Sequence, residues 1–199
     1  MKKRKYQLHR RAESQEETRR RIVDAIVDLH ENLGPRATTV SAIAERAGVQ
    51  RLTVYRHFPD DVALFTACSS HWLGEHPLPD PAIWRSQPEW RARCRAAFAA
   101  LYTYYRRNTG MLTSVFRDAD LPAMQAPMQG FAAYFGQVHA DLLEIAEPAL
   151  AQSKAFAHTI GHAVSFVTWQ SLAGGFTDTD MVALVMTWLE GVVASEPSR

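Results

Sequence analysis

The sequence predicts an all-α protein with an N-terminal three-helix domain and a larger C-terminal helical domain. Apolar residues recur at positions i, i+3, i+4 and i+7 along most of the chain, and no segment shows the alternation typical of strands. A glycine at position 48 separates two short helical segments, as in a helix-turn-helix. Four prolines and a glycine fall within residues 74–88, which predicts a linker there.

Composition places the chain among soluble globular proteins. Of its 199 residues, 47% are apolar and 22% are charged. No apolar run approaches the roughly 18 residues that cross a bilayer, and the basic first ten residues are not followed by the apolar segment of a secretory signal. Two cysteines, Cys68 and Cys94, are too few for a disulfide framework. We therefore expect a cytoplasmic protein with no membrane partner.

Charge is distributed unevenly, although the net charge is only +1. Residues 1–57 contain 13 Lys and Arg against 7 Asp and Glu, whereas residues 58–199 contain 9 against 14. Such asymmetry suggests an N-terminal part that meets a polyanion. For the first dozen residues, a solvated basic tail is an equally good interpretation.

The first three helices follow from periodicity and from stop signals. Residues 16–33 carry an apolar stripe that ends at Gly34-Pro35. Thr39 is a candidate N-cap for a second helix, "VSAIAERA", and Gly48 is expected to end that helix with a positive φ. Gln50 to Phe58 then forms the third helix.

The remaining helices are predicted from the same pattern. One begins near Asp61 and reaches about Trp72. Beyond the proline-rich linker, we predict helices at 88–107, 110–118, 122–146, 151–173 and 178–195. A domain boundary is placed after residue 60, which divides the chain into an N-terminal domain of residues 1–60 and a C-terminal domain of residues 61–199.

The third helix mixes basic and polar side chains with apolar ones, as expected of a helix that reads DNA. Val54 and Phe58 can hold it on the domain, while its outer face offers donors to base edges and phosphates. Basic residues at the N-terminus can follow the backbone or enter the minor groove. The predicted DNA contacts are Lys2, Lys3, Arg4, Lys5, Thr39, Ser41, Gln50, Arg51, Leu52, Thr53, Tyr55, Arg56 and His57.

This region resembles the DNA-binding signature of the TetR family of bacterial transcription regulators. The resemblance covers "TTVSAIAERAGVQRLTVYRHFPDDVALF" and rests on Thr39, Ile43-Ala44, Ala47-Gly48-Val49, Val54-Tyr55, His57-Phe58 and Leu64. It implies a homodimer that binds a palindromic operator, usually as a repressor. It also implies release when a small molecule enters the C-terminal domain.

Three positions depart from the family pattern. Gln50 stands where a serine cap is frequent, and Leu52 stands where glycine is common. Asp61 replaces a lysine that grips phosphate in many members, and we expect it to cap the following helix together with Asp60. The phosphate contacts should therefore depend more on the basic arm and on Arg56.

The family resemblance places an effector pocket in the C-terminal domain, which is rich in aromatic and Met side chains. Such side chains line ligand pockets, although they equally form ordinary core. An apolar or aromatic effector is expected. The candidate lining residues are Tyr102, Tyr105, Met111, Phe116, Met124, Met128, Phe131, Phe135, His158, His162, Phe166 and Trp169.

The last two predicted helices are apolar around most of their circumference, which requires burial on more than one side. Either they form the core of the C-terminal domain, or they pair with a second copy as a four-helix bundle. The candidate interface residues are Phe156, Ile160, Val164, Val167, Met181, Leu184, Val185, Trp188 and Val192.

Two other functions remain open at this point. The chain could be a DNA-binding regulator without a small-molecule effector, or an all-helical enzyme that uses His158 and His162. These histidines lie four residues apart, as metal ligands do, but no further ligand is near them in the sequence. No nucleophile motif or phosphate loop is visible, so we expect no catalytic residue, no cofactor and no metal.

Overall fold

The computed structural model describes residues 2–195, and the side chains of residues 9, 10 and 12–195. This part of the chain is all-α, as predicted, and contains twelve α-helices and no strand. Short 3₁₀ turns occupy Pro35–Ala37 and Pro122–Met124. The helices are α1 Lys2–Asn32, α2 Val40–Ala47, α3 Arg51–His57, α4 Asp61–Glu75, α5 Ala82–Arg85, α6 Trp90–Arg107, α7 Thr109–Arg117, α8 Gln125–Glu144, α9 Pro148–Ala151, α10 Lys154–Ala163, α11 Phe166–Leu172 and α12 Asp178–Ser195.

Helix α1 begins fourteen positions before the residue at which the apolar stripe predicted its start, at Lys2 rather than Glu16. No glycine or proline precedes Gly34, and the added segment is rich in Lys, Arg, Glu and Gln, which favour helices. The apolar stripe marks the buried part of the helix but not its beginning. Gly34 follows the end of α1 and has a φ of 91°, which prevents the helix from continuing.

The segment predicted as one helix, 151–173, is divided into shorter helices. Ser153 caps α10 by accepting a hydrogen bond of 3.2 Å from the N–H of Phe156. The chain breaks again at Val164 and Ser165, where α10 ends and α11 begins. Helix ends leave carbonyl groups without helical partners. At the end of α10, the carbonyls of Ala163 and Val164 accept hydrogen bonds from the hydroxyls of Tyr102 and Tyr105 on α6.

Contacts between Cα atoms divide the chain into two compact units. The first unit contains the residues up to Pro77 together with Gly110–Gln129. The second contains Leu78–Thr109 and the residues from Gly130 onward. The functional boundary placed after residue 60 stays a prediction, because compactness and function need not share a border.

The first unit has a continuous apolar core formed by α1 to α4 and the turn at Pro122–Met124. It joins the inner face of α1 to those of α2, α3 and α4. Val54 and Phe58, the predicted anchors of α3, are 0% and 1% exposed. The core residues are Ile22, Val23, Ala25, Ile26, Ile43, Ala44, Ala47, Val54, Phe58, Leu64, Phe65, Cys68 and Met124.

In the second unit, the proline-rich segment is held by one buried carboxylate. Asp141 on α8 accepts hydrogen bonds from Trp84 Nε1 at 3.0 Å and from both Nε and Nη2 of Arg85 at 2.8 Å. Trp84 itself is fully buried. The predicted linker is therefore an ordered part of the second unit from Leu78 onward.

None of the helices within residues 2–195 combines the length and the apolar character needed to cross a lipid bilayer.

Candidate nucleic-acid interface

Helices α2 and α3 form a helix-turn-helix whose turn depends on Gly48. The Thr39 side chain caps α2 by accepting a hydrogen bond of 3.2 Å from the N–H of Ala42. Gly48 has a φ of 64° and a ψ of 41°, the left-handed conformation that glycine adopts without a steric penalty. Its N–H and that of Val49 satisfy the last carbonyls of α2. The predicted cap and turn are both present, and they fix the direction in which α3 leaves.

The side chains of α3 are sorted by direction around the helix. Successive residues are about 100° apart, so the exposed positions share an arc of about 140°. Val54 lies on the other arc and is fully buried, with Thr53 and His57 half-buried beside it. The arrangement leaves one outward face and one anchoring face, as a helix in the major groove requires. The exposed residues are Arg51, Leu52, Tyr55 and Arg56.

The two arginines of the outward face are not neutralised within the protein. Among the described side chains, none forms an ion pair or a hydrogen bond with the guanidinium of Arg51 or Arg56. Leu52 lies between them and is 69% exposed. Each guanidinium is therefore available to a guanine edge or to a phosphate.

Gln50 occupies the N-cap position of α3 but makes no side-chain cap hydrogen bond. Its exposed amide remains available to an external partner, in agreement with the poor capping expected of glutamine. Thr39 and Ser41 are also exposed, at the N-terminus of α2. The unpaired N–H groups and the dipole of a helix N-terminus favour a phosphate there.

The predicted basic arm lies at the start of α1. The structure places the backbone of Lys2, Lys3, Arg4 and Lys5 on the first turns of this helix but does not describe their side chains. Their predicted contacts with DNA stay predictions. A helical backbone also differs from the extended arm that would enter the minor groove.

Helix α1 braces the helix-turn-helix through three arginine contacts that were not predicted from the sequence. Arg21 Nη1 donates to the carbonyl of Ala47 at 3.2 Å, at the end of α2. Arg46 on α2 pairs with Asp28 at 2.8 Å. The Arg19 guanidinium lies 4.4 Å from the centre of the Phe58 ring, a cation–π distance. These contacts join residues 18 to 39 positions apart in the sequence, so no local pattern indicated them.

Asp60 and Asp61, at the start of α4, have different roles. Asp60 caps α4, because its Oδ1 accepts a hydrogen bond of 2.8 Å from the N–H of Ala63. Asp61 is the first helical residue and makes no cap contact. The expectation that both aspartates cap the helix therefore holds for Asp60 alone.

The predicted effector residues do not lie in one place. Four belong to the first unit, where Met124 is part of the core and Met128 packs against it. Met124 is therefore a core residue of the first unit, and its contact with an effector stays a prediction. The members in the first unit are Met111, Phe116, Met124 and Met128, and those in the second are Tyr102, Tyr105, Phe131, Phe135, His158, His162, Phe166 and Trp169.

Tyr102 and Tyr105 have a structural role at the break between α10 and α11. The Tyr102 hydroxyl donates to the carbonyl of Ala163 at 2.8 Å, and the Tyr105 hydroxyl donates to that of Val164 at 2.6 Å. Burial raises the pKa of both phenols, so both remain donors at neutral pH. The Tyr105 ring also contacts Phe166 and Trp169 edge-on. These hydroxyls are occupied, which leaves Tyr102 and Tyr105 to contribute their rings alone to any pocket.

His158 and His162 are exposed and line an open cleft of about 510 Å³ in the second unit, together with Val167 and Trp188. His162 Nδ1 lies 2.8 Å from the hydroxyl of Thr168. Both imidazoles are therefore accessible to solvent in this cleft and are not part of the core. Among the described residues, no three His, Cys, Asp or Glu side chains are close enough to hold a metal ion.

The predicted interface residues also separate by burial. Five have at most 5% exposure within one subunit, so they have no surface left to bury against a second copy and belong to the core. Val167 and Trp188 are 59% and 37% exposed, and Leu184 and Val192 are half-buried. A candidate interface is thus reduced to these four. The core residues are Phe156, Ile160, Val164, Met181 and Val185.

Comparisons with known proteins agree with this geometry. Residues 22–68 match the family model of bacterial regulatory proteins of the tetR family. A comparison of the sequence with curated proteins finds no match. The fold is similar to that of a TetR-like transcriptional regulator from Rhodococcus sp. RHA1, with a TM-score of 0.62 and 17% identity over 90% of this chain and 97% of that chain. It is also similar to a tetR-family transcriptional regulator from Streptomyces coelicolor, with a TM-score of 0.57 and 16% identity over 92% and 90%.

Proposed function

We propose that this chain, a DNA-binding transcriptional regulator of the tetR family, acts as a homodimeric repressor that leaves a palindromic operator when a small molecule binds. DNA binding is the part of this proposal that the match to the family model supports. Repression, pairing of two subunits and release by an effector are the finer parts of the proposal.

The observation that carries the proposal is the outward face of α3. Arg51 and Arg56 project from it without an internal partner, while Val54 on the other side is fully buried. A buried inner face keeps the helix rigid on its domain, and free guanidinium groups outside can pair with bases or phosphates. A helix with a merely structural role has no need of this arrangement.

Pairing of two subunits is supported by the exposed apolar side chains of the second unit. Trp188 on α12 and Val167 on α11 line one open cleft and remain accessible to solvent. Trp is among the residues that most often dominate protein interfaces. A two-fold pair would present two α3 helices to half-sites about one turn of DNA, roughly 34–36 Å, apart or at a multiple of that spacing.

Release by a small apolar or aromatic effector is supported by the composition of the second unit. Phe135, Phe166 and Trp169 surround Tyr105 with ring centroids 5.5 to 6.3 Å from its own. Aromatic side chains favour flat or apolar ligands where they line a pocket. The effector has to bind the DNA-incompetent state more tightly, because equal affinity for both states would shift nothing.

A gel-shift experiment on the DNA upstream of the gene tests the proposal. The wild-type protein should bind at low salt and lose affinity steeply as salt increases. The double variant R51A/R56A should bind at least about tenfold more weakly, whereas R107A, which removes an exposed arginine of α6, should bind like the wild type. Equal binding by R51A/R56A and the wild type would remove α3 as the reading helix.

The same assay tests the effector. Small aromatic compounds added to the complex should release the DNA without unfolding the protein. A regulator that is released by none of them, while it still binds DNA through Arg51 and Arg56, would support a DNA-binding protein without a small-molecule effector.

A further inference from the structure

The first unit, which carries the helix-turn-helix, contains its own cavity. Its volume is about 520 Å³, within the range of small-molecule sites. The walls come from the beginning of α2, from Tyr55 on α3, from the first turns of α4, and from the turn at Pro122–Met124. None of the residues predicted to line an effector pocket lines this cavity.

The charges around the cavity favour a cation. Its two charged lining side chains are Arg36 and Asp61. The Arg36 guanidinium is already paired with two carboxylates, Asp118 at 3.7 Å and Asp120. No described side chain pairs with the Asp61 carboxylate. The uncompensated charge at the cavity is therefore negative, which disfavours an anion and favours a cation.

The apolar lining of the cavity indicates that the cation is an organic one with a hydrocarbon part. Leu64 and Leu121 line the wall and can pack against a hydrocarbon body. Two aromatic side chains, Tyr55 and Phe65, lie in the same lining. Aromatic faces attract organic cations through their quadrupole, and they do so together with a carboxylate in many cation sites.

We propose that this cavity binds a monovalent organic cation with an apolar body, and that Asp61 holds the charged group. This site is distinct from an effector pocket in the second unit and does not depend on one. Because Thr39 and Tyr55 line it and are also proposed DNA contacts, a bound cation and the operator compete for the same side chains. By linkage, each then weakens the binding of the other.

The experiment measures binding to the full chain without DNA, so its result does not depend on the proposed repression. Benzyltrimethylammonium is the probe, titrated by calorimetry, with benzyl alcohol as the neutral comparator and benzenesulfonate as the anionic one. The cation should bind more tightly than both. Asp61→Asn should weaken its binding by at least about fivefold.

Two further variants separate the charge from the fold. Glu45→Gln removes an exposed carboxylate of α2 outside the cavity and should leave the affinity within a factor of about two. Tyr55→Leu keeps Asp61 but removes an aromatic face, and should weaken binding by about two- to fivefold. Circular dichroism melting checks that all three variants fold.

Competition with DNA supplies the final readout. Saturating benzyltrimethylammonium should lower the DNA affinity of the wild-type protein but not that of Asp61→Asn. The proposal is overturned if Asp61→Asn binds the cation as the wild type does, if benzenesulfonate binds equally well, or if no heat of binding is detected at millimolar cation.

Discussion

The backbone N–H of Arg36 donates a hydrogen bond of 3.0 Å to Oδ2 of Asp118. These residues are 82 positions apart, and the bond fixes the turn between α1 and α2 to the end of α7 within the first unit. Asp118 is 2% exposed and also accepts hydrogen bonds from Nε and Nη2 of Arg117 at 3.1 and 3.2 Å. Arg117 in turn donates to the carbonyl of Leu33. The turn that precedes α2 is therefore held at two points, by Asp118 at Arg36 and by Arg117 at Leu33.

Replacing Asp118 by alanine should lower the free energy of unfolding by about 2 kcal/mol, because the partly buried N–H of Arg36 loses its acceptor and the Arg117 guanidinium loses two hydrogen bonds. Asp120→Ala is the matched control. Its carboxylate is mostly exposed and contacts Arg36 alone, so its loss should be under about 1 kcal/mol. Urea denaturation measures both values. Equal effects of the two substitutions would contradict a special role for the buried carboxylate.

Gly34 and Gly48 both have positive φ, but their surroundings differ. A Cβ at Gly34 would lie 1.8 Å from Arg117 Nη2 and 2.7 Å from Asp118 Oδ2. At Gly48 the nearest atom is Arg21 Nη1 at 3.8 Å, so an added methyl group would meet only the backbone penalty, about 1–2 kcal/mol. We expect Gly34→Ala to destabilise the protein more than Gly48→Ala by thermal melting. A smaller effect at Gly34 would mean that Arg117 and Asp118 move aside without loss.

The local signals in the sequence were sufficient for the helix-turn-helix. The Thr39 cap, the left-handed Gly48 and the buried Val54 each depend on neighbours within a few positions, and each is present as predicted. The apolar stripe of α1 likewise contains the buried residues Ile22, Ala25 and Ile26, but its last member, Leu33, is 49% exposed, and the beginning of the helix was misplaced. Short-range chemistry decides such features.

Contacts between distant residues could not be read in the same way. The hydrogen bonds from Tyr105 to the α10–α11 break, and from Arg36 to Asp118, join positions 59 and 82 residues apart. Periodicity shows that Val185 faces inward but not whether its neighbour is the same chain or a second copy. The burial of Val185 within one subunit required the tertiary structure.

His30 should make the stability of the protein depend on pH in a defined window. It is buried on α1, with Nδ1 at 3.4 Å from the Cys68 thiol and no hydrogen-bond partner for Nε2. Burial lowers the pKa of His30 from 6.5 to about 4, against a smaller opposite effect of Asp118. The unfolded state then takes up a proton at a pH where the folded state does not.

The stability that neutral His30 provides is complete above pH 6.5 and is lost as the pH falls from 6.5 to about 4. The expected slope is at most about 1.4 kcal/mol for each pH unit. His30→Gln should flatten this part of the curve, whereas His158→Gln, at an exposed histidine, should leave it unchanged. Urea denaturation between pH 4 and 7.5 measures the slope. If wild type and His30→Gln have parallel curves, His30 is not the titrating group.

Trp188→Glu should separate the subunits of the proposed dimer. The indole is partly exposed in the open cleft beside Val167, and a carboxylate buried at the centre of an interface would lack a partner. We expect the dissociation constant of the dimer to rise by more than about thirtyfold, as at an interface hot spot. Ile83→Glu is the control, because Ile83 is 48% exposed on α5, outside that cleft. Light scattering after gel filtration measures both masses across a dilution series. A Trp188→Glu protein that remains dimeric at the lowest concentration, while folded by circular dichroism, would move the interface away from α12.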